Sequence, residues 1–201
     1  MNNKEYPYFA TEYKNCVKSR RKSNLFKKLA QISKSKKSGI ISSELSYVST
    51  ENSCCKITAQ GQCNDSHIII PEYIGEKSVT SIGAYAFMGC DNLINVEIPE
   101  SISSMGMLAF SRCTSLESIV IKNGLTLIEP YTFSGCSNLK RIFLPRSIMC
   151  IDHGAFYDCT SLTEIRFSDT KEEWFAIEKG INWNINTPDY IIFCLNGIIE
   201  H

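Results

Sequence analysis

Phenylalanine recurs at Phe87, Phe110, Phe133 and Phe156, always 23 residues apart. Three residues later comes cysteine, at Cys90, Cys113, Cys136 and Cys159, and three further on leucine, at Leu93, Leu116, Leu139 and Leu162. The same step relates Val96, Ile119, Ile142 and Ile165, then Ile98, Ile121, Leu144 and Phe167, and also Ile82, Met105, Ile128 and Ile151. Six columns in register over four copies constrain the fold severely. Each copy must be the same supersecondary unit, and it buries its apolar positions only by stacking on its neighbours.

Within each unit, Leu-x-x-Ile-x-Ile (Leu116, Ile119 and Ile121, for example) ends in a period-2 alternation. That is a short strand with alternate side chains inward. The Ile, Met and Phe columns that follow return the chain across the other side of a coil. Stacked at the strand spacing of about 4.8 Å, such coils make a continuous core and a parallel sheet. A 23-residue unit falls in the leucine-rich-repeat range, so the fold expected is a repeat solenoid, mostly β.

Three phrases resemble the BspA-like leucine-rich repeats of bacterial surface proteins and some protozoan proteins. They are Val79-Thr-Ser-Ile-Gly-Ala-Tyr-Ala-Phe-Met-Gly-Cys90, Cys113-Thr-Ser-Leu-Glu-Ser-Ile119 and Gly135-Cys-Ser-Asn-Leu139. Ile68 to Ser78 looks like that family's irregular first coil: Ile68 and Ile70 precede Pro71 as Val96 and Ile98 precede Pro99, with five extra residues before Val79. Thr170 to Trp183 is similar to a common closing segment of such proteins. The resemblance covers roughly residues 57 to 200. It implies a leucine-rich-repeat fold of about five coils and, for function, host-protein or surface adhesion. A repeat fold hosts many roles, so it does not settle which. The chain departs from the family in its basic first fifty residues, and its first residues as written do not read as a secretion signal.

A solenoid needs its ends covered. At the carboxy end, residues 170–201 read as a cap. Lys171 to Lys179 is a short helix, with Trp174, Phe175 and Ile177 available to the last coil. Tyr190 to Leu195 and Ile198 to Glu200 then flank Asn196-Gly197, a hairpin signal that also protects the sheet edge. At the other end, Lys56 to Ala59 and Ser66 to Ile70 read as strands. Lys34 to Asn52 is a Ser- and Lys-rich linker, and Val17, Leu25, Leu29 and Ile32 give an amphipathic helix over roughly 15–33. The organisation expected is therefore residues 1–52 as basic helix and linker, and 53–201 as solenoid with its cap.

The formal net charge of zero conceals a split. Between Tyr13 and Ser43 stand ten Lys or Arg and no acid, whereas the chain from Glu44 onward holds ten basic and nineteen acidic residues. The arm, with Lys18, Arg20, Arg21, Lys22, Lys27 and Lys28 at its centre, has three readings that stay open. It can be a solvated or capping helix, a nucleic-acid contact through phosphates, or a surface that lies on anionic membrane. No apolar run reaches the ~18 residues that span a bilayer. Met1 to Tyr13 has no basic start, apolar middle or cleavage site, so the chain as written is expected in the cytoplasm, with a surface or secreted location implied by the resemblance.

Chemical sites are sparse. Ten cysteines in 201 residues fall below the ~8–10% of a disulfide scaffold. Equivalent cysteines on stacked coils point side by side, which suits neither a disulfide nor a zinc tetrahedron, so Cys90, Cys113, Cys136 and Cys159 are expected to pack as small apolar residues. Cys54, Cys55, Cys63 and His67 have no recognised metal spacing. His67, His153 and His201 are the only candidate imidazole bases, with no Gly-x-Ser-x-Gly nucleophile and no phosphate loop. The expectation is no enzyme, no metal, no cofactor and no small-molecule substrate. Function is placed on the sheet's outward positions: Asn95, Ser118, Arg141 and Glu164 in one column, Glu97, Val120, Phe143 and Arg166 in the next. Val120 and Phe143, ringed by Arg141, Arg166 and Glu164, have the composition of an interface anchor. The function expected is protein–protein interaction through that face, with docking through the basic arm as the rival.

Overall fold

The computed structural model describes residues 45–50, 54–58 and 65–201, all within a unit spanning Ile40–His201. The expected basic helix and most of the linker lie outside the described residues.

Strand β1 (Tyr47–Thr50) runs antiparallel to β2 (Cys54–Ile57), which opens the first coil on its return side. The coil then crosses to β3 (His67–Ile69), the first strand of the main sheet. A two-residue turn at Gly75-Glu76 links β4 (Tyr73–Ile74) to β5 (Lys77–Ile82), with Gly75 at φ +61. This small hairpin absorbs the five extra residues. From there the chain alternates between main and return sides: β6 (Asn95–Ile98), β7 (Ser104–Met105), β8 (Ser118–Ile121), β9 (Leu127–Ile128), β10 (Arg141–Leu144), β11 (Cys150–Ile151) and β12 (Glu164–Phe167). Helix α1 (Lys171–Ala176) leads to β13 (Glu178–Lys179), then β14 (Ile191–Cys194) and β15 (Gly197–Glu200).

The main sheet has the order β15-β14-β12-β10-β8-β6-β3, parallel throughout except for the final β14–β15 hairpin. On the return side β1, β2, β4, β5 and β7 form one sheet and β9, β11 and β13 another. Val96, Ile119, Ile142 and Ile165 pair in direct register, as the 23-residue step requires, and Ile68 and Ile192 extend that row at its two ends. Six strands therefore stand in parallel, where about five coils were expected. The sixth coil escapes a search at fixed period because α1 lengthens it. In register, Ile192 lies 27 residues beyond Ile165.

The apolar columns fill the interior. The repeating Phe, Cys and Leu positions are all buried, as are the inward residues of β6, β8, β10 and β12. Phe87, Phe110, Phe133 and Phe156 stack as a column with centroids 4.8, 5.7 and 5.4 Å apart, and Trp183 closes it edge-on at 6.0 Å from Phe156. Trp174, buried on α1, packs against Phe167 at 5.5 Å and Trp183 at 6.3 Å.

Between the return and main strands each coil from the second to the sixth makes a bend with two left-handed residues four apart. The pairs are Tyr85 and Gly89, Leu108 and Arg112, Tyr131 and Gly135, Gly154 and Asp158, Asn182 and Asn186, all at φ between +54 and +74. Left-handed backbone costs a non-glycine residue on the order of 1 kcal/mol. In return it aims main-chain groups along the solenoid axis. Phe87 N–H bonds Ala109 C=O at 2.7 Å, Phe110 bonds Thr132 at 2.9 Å, Phe133 bonds Ala155 at 2.9 Å and Phe156 bonds Trp183 at 2.7 Å. The bends are thus laddered like the strands, and the fifth pair marks the sixth coil as a genuine repeat.

Two readings of the ends change. Part of the expected linker is strand, since Tyr47–Thr50 pair with β2; all four are exposed, so no inward apolar alternation announced them. The closing helix is also shorter than expected, stopping at Ala176 where the chain turns extended to place Glu178–Lys179 beside β11. Thr170 caps its start, its side chain accepting from Glu173 N–H.

Candidate functional site

Along β6, β8, β10 and β12 the inward residues alternate with outward ones, and the outward ones stand in two parallel columns. Asn95, Ser118, Arg141 and Glu164 occupy one; Glu97, Val120, Phe143 and Arg166 occupy the other. All eight residues singled out from the sequence lie on this face. Val120 and Phe143 are neighbours in register and only half-buried.

Charge on the face is organised around one carboxylate. Glu164 accepts from Arg141 Nε at 3.1 Å and from Arg166 Nε. Burial by itself would raise the Glu164 carboxyl, but the hydrogen bonds from Arg166 and Arg141 outweigh it and hold the group below the usual carboxylate range. Two guanidiniums thus share one carboxylate, which leaves a positive excess here. Glu97 is 2.5 Å from Lys122 Nζ, and Asn95 Nδ2 is 3.0 Å from His67 Nδ1.

The carboxy-terminal strands extend the second column. Register places Phe193 beside Arg166, and Ile198 of β15 beside Phe193. The Arg166 guanidinium lies over the Phe143 ring at 5.5 Å and over the Phe193 ring at 5.4 Å, a cation held between two aromatic faces. Sequence reasoning missed Phe193, Ile191 and Ile198 as face residues. The signal was the alternation in Tyr190-Ile-Ile-Phe-Cys, which reads as a terminal hairpin until the sixth coil is recognised. At the opposite end Ile69 continues the same column, and His67, Asn95, Glu97 and Val120 line a shallow open depression of about 250 Å³.

Other groups of chemical interest sit elsewhere. His153 Nε2 is 2.6 Å from Tyr131 Oη on the bend side, where burial, with Asp152 adding to it, raises the Glu129 carboxyl. Among the described residues no three His, Cys, Asp or Glu are grouped to hold a metal ion, and no helix is long and apolar enough to cross a membrane. Lys18, Arg20, Arg21, Lys22, Lys27 and Lys28 lie outside the described residues.

A coil of strand, bend and return strand repeated at 23 residues, with a phenylalanine spine, defines a leucine-rich-repeat solenoid. The model of the BspA-type leucine-rich-repeat region matches residues 58–176 in six copies, and the chain belongs to that family. Solved structures similar to it include a leucine-rich cell surface protein from Faecalibacterium prausnitzii, at 30% identity over 66% of this chain with a TM-score of 0.49. This chain covers 40% of that protein's length. Others are the leucine-rich-repeat protein of T. pallidum, at 24% identity over 70% of this chain and 80% of its own with a TM-score of 0.49, and one from Bacteroides capillosus, at 22% identity over 75% and 94% with a TM-score of 0.44. Comparison with curated proteins finds no match. Proteins of this family are generally non-catalytic scaffolds that bind other proteins, and they are often found at the cell surface.

Proposed function

We propose that the chain binds its protein partner on the outward face of the main sheet, centred on Val120, Phe143 and Arg166 and extending to Phe193. The observation that carries this reading is the Arg166 guanidinium held between the Phe143 and Phe193 rings. Aromatic residues and arginine are enriched where interfaces bury most completely, and a side chain already fixed loses little entropy on binding. Asn95, Glu97, Ser118, Arg141 and Glu164 form the polar rim.

The test is capture of partners from a lysate of the source cells by the wild-type chain and by Phe143→Ala, at low and at physiological salt. The variant should keep its thermal midpoint nearly unchanged, losing at most about 1 kcal/mol with the cation–π contact, while the captured protein is lost. A variant that captures as the wild type does removes the face from consideration. The rival reading draws on the ten Lys or Arg without an acid between Tyr13 and Ser43. It has the arm dock on nucleic acid or anionic membrane and makes the solenoid a scaffold. Capture lost on removing residues 14–37 and falling steeply with salt would favour that rival, because phosphate contacts release counterions.

A further inference from the structure

The hairpin that ends the main sheet leaves a strand edge facing outward. His201 N–H bonds Tyr190 C=O at 3.1 Å, and Ile192 faces Ile199 in register. Antiparallel ladders alternate, so the main-chain groups of Gly197 and Ile199 turn toward β14 while those of Ile198 and Glu200 turn away from it. No strand among the described residues pairs with that outer edge. Exposed apolar side chains also gather here: Ile198 is 49% exposed, Leu195 55%, Phe193 39% and Ile191 38%. Natural sheets blunt such edges with lysine, proline or a bulge. In Gly197–Glu200 the only charged residue is Glu200, at the far end.

We propose that β15 pairs antiparallel with β15 of a second copy of this chain, about a twofold axis at Ile198. Under a twofold rotation an edge strand meets its own copy antiparallel, so that the outward N–H and C=O groups of each satisfy those of the other. Charge selects the register. Centring on Ile199 would set the two Glu200 side chains diagonally across from each other. Centring on Ile198 instead brings each Glu200 opposite Asn196 of the other copy, at the turn where Lys171 Nζ lies against Gly197. In that register Ile198 meets Ile198 and exchanges both main-chain bonds with it. The two Phe193 rings flank the pair, so the apolar columns of both copies run together into one.

The contact is small. It holds a few half-exposed side chains from each copy and the bonds of one strand pair, below the roughly 1,200 Å² of a standard interface. The dimer is therefore weak and dissociates on dilution. The pairing does not rest on the partner proposed for the sheet face, although the two surfaces meet at Phe193.

Sedimentation velocity of the full chain, from low-micromolar to near-millimolar concentration, measures it. The wild type should shift reversibly from monomer to dimer. Ile198→Lys, an exposed position, should keep the circular dichroism spectrum and raise the dissociation constant about tenfold or more. Ile198→Pro, where the N–H lost is the outward one, should act in the same direction. Phe143→Ala, on the face but away from the edge, should dimerise as the wild type does. A wild type that stays monomeric throughout overturns the proposal, as does an Ile198→Lys variant that dimerises undiminished. A monomeric wild type whose capture of another protein is abolished by Ile198→Lys would give the edge to a foreign strand and likewise overturn self-pairing.

Discussion

Phe87, Phe110 and Phe133 of the spine each carry an inward carbonyl, and a cysteine one coil further on answers it. Phe87 C=O accepts the Cys90 N–H at 3.1 Å and the Cys113 thiol at 3.0 Å; the Cys136 thiol donates to Phe110 at 3.1 Å, and that of Cys159 to Phe133 at 3.2 Å. The cysteine column was legible as buried packing. Its role as donor was not, because a thiol's partner depends on which carbonyl the bend turns inward. The protonated form is thus the useful one. Burial pushes the Cys159 thiol from 9.0 up to about 12, and the Cys113 thiol is raised by its Cys136 neighbour and by burial. Burial likewise lifts the Tyr190 hydroxyl from 10.0 to about 12. Raised folded values mean that the unfolded chain gives up its protons first as pH rises. Urea midpoints should therefore be level up to about pH 9 and fall progressively between about 9 and 12. A midpoint unchanged at pH 11 would count against these buried thiols. The left-handed positions can be tested by contrast. Gly89 sits at φ +71 with open space around it, so Gly89→Ala should cost only backbone strain, about 1 kcal/mol. Gly154 is at φ +57, and an added Cβ would fall 2.4 Å from the Tyr131 ring, whose hydroxyl is tied to His153 Nε2. Gly154→Ala should cost about 2–3 kcal/mol, the strain plus the overpacking. Equal losses in chemical denaturation would mean that the ring moves freely.

A coil exists only through its neighbours, so truncation inside one should unsettle several. Leu116 is fully buried, and Leu116→Ala should cost about 2–5 kcal/mol. Phe133 stacks on both sides, and its removal should cost about 3–5 kcal/mol. In both variants the unfolding transition should stay single, and a first transition split off from the rest would show the coils to be independent. The last coil is tied differently. Asn196 accepts from Lys171 N–H at 2.9 Å and donates to Glu172 Oε2 at 2.9 Å, fastening the β14–β15 turn to the start of α1. Asn196→Ala should cost about 1 kcal/mol and raise hydrogen exchange first in β15. Asn196-Gly197 was legible as a turn; the loop falls on Leu195-Asn196, with Gly197 at φ +138 paired to Cys194. The sequence signal could place the turn but could not reveal that its asparagine serves a helix 25 residues away. The four regular copies were legible because period and burial coincide there. The terminal coils were not, because hairpin and helix insertions break the period while leaving the core register intact.

At the scale of the molecule, main-chain hydrogen bonds link one coil to the next in the strands and, from the second coil to the sixth, again at the bends. The phenylalanine column runs the same way. The arrangement has a mechanical meaning. Tension applied between the two ends loads these contacts one coil at a time, as in peeling tape, rather than shearing them all together. Each of the regular coils that lets go frees 23 residues, or roughly 80 Å of slack at full extension. Single-molecule stretching of the chain should therefore trace evenly spaced force peaks at that contour increment. Such a protein would lengthen in measured steps under load and rewind when the load is removed.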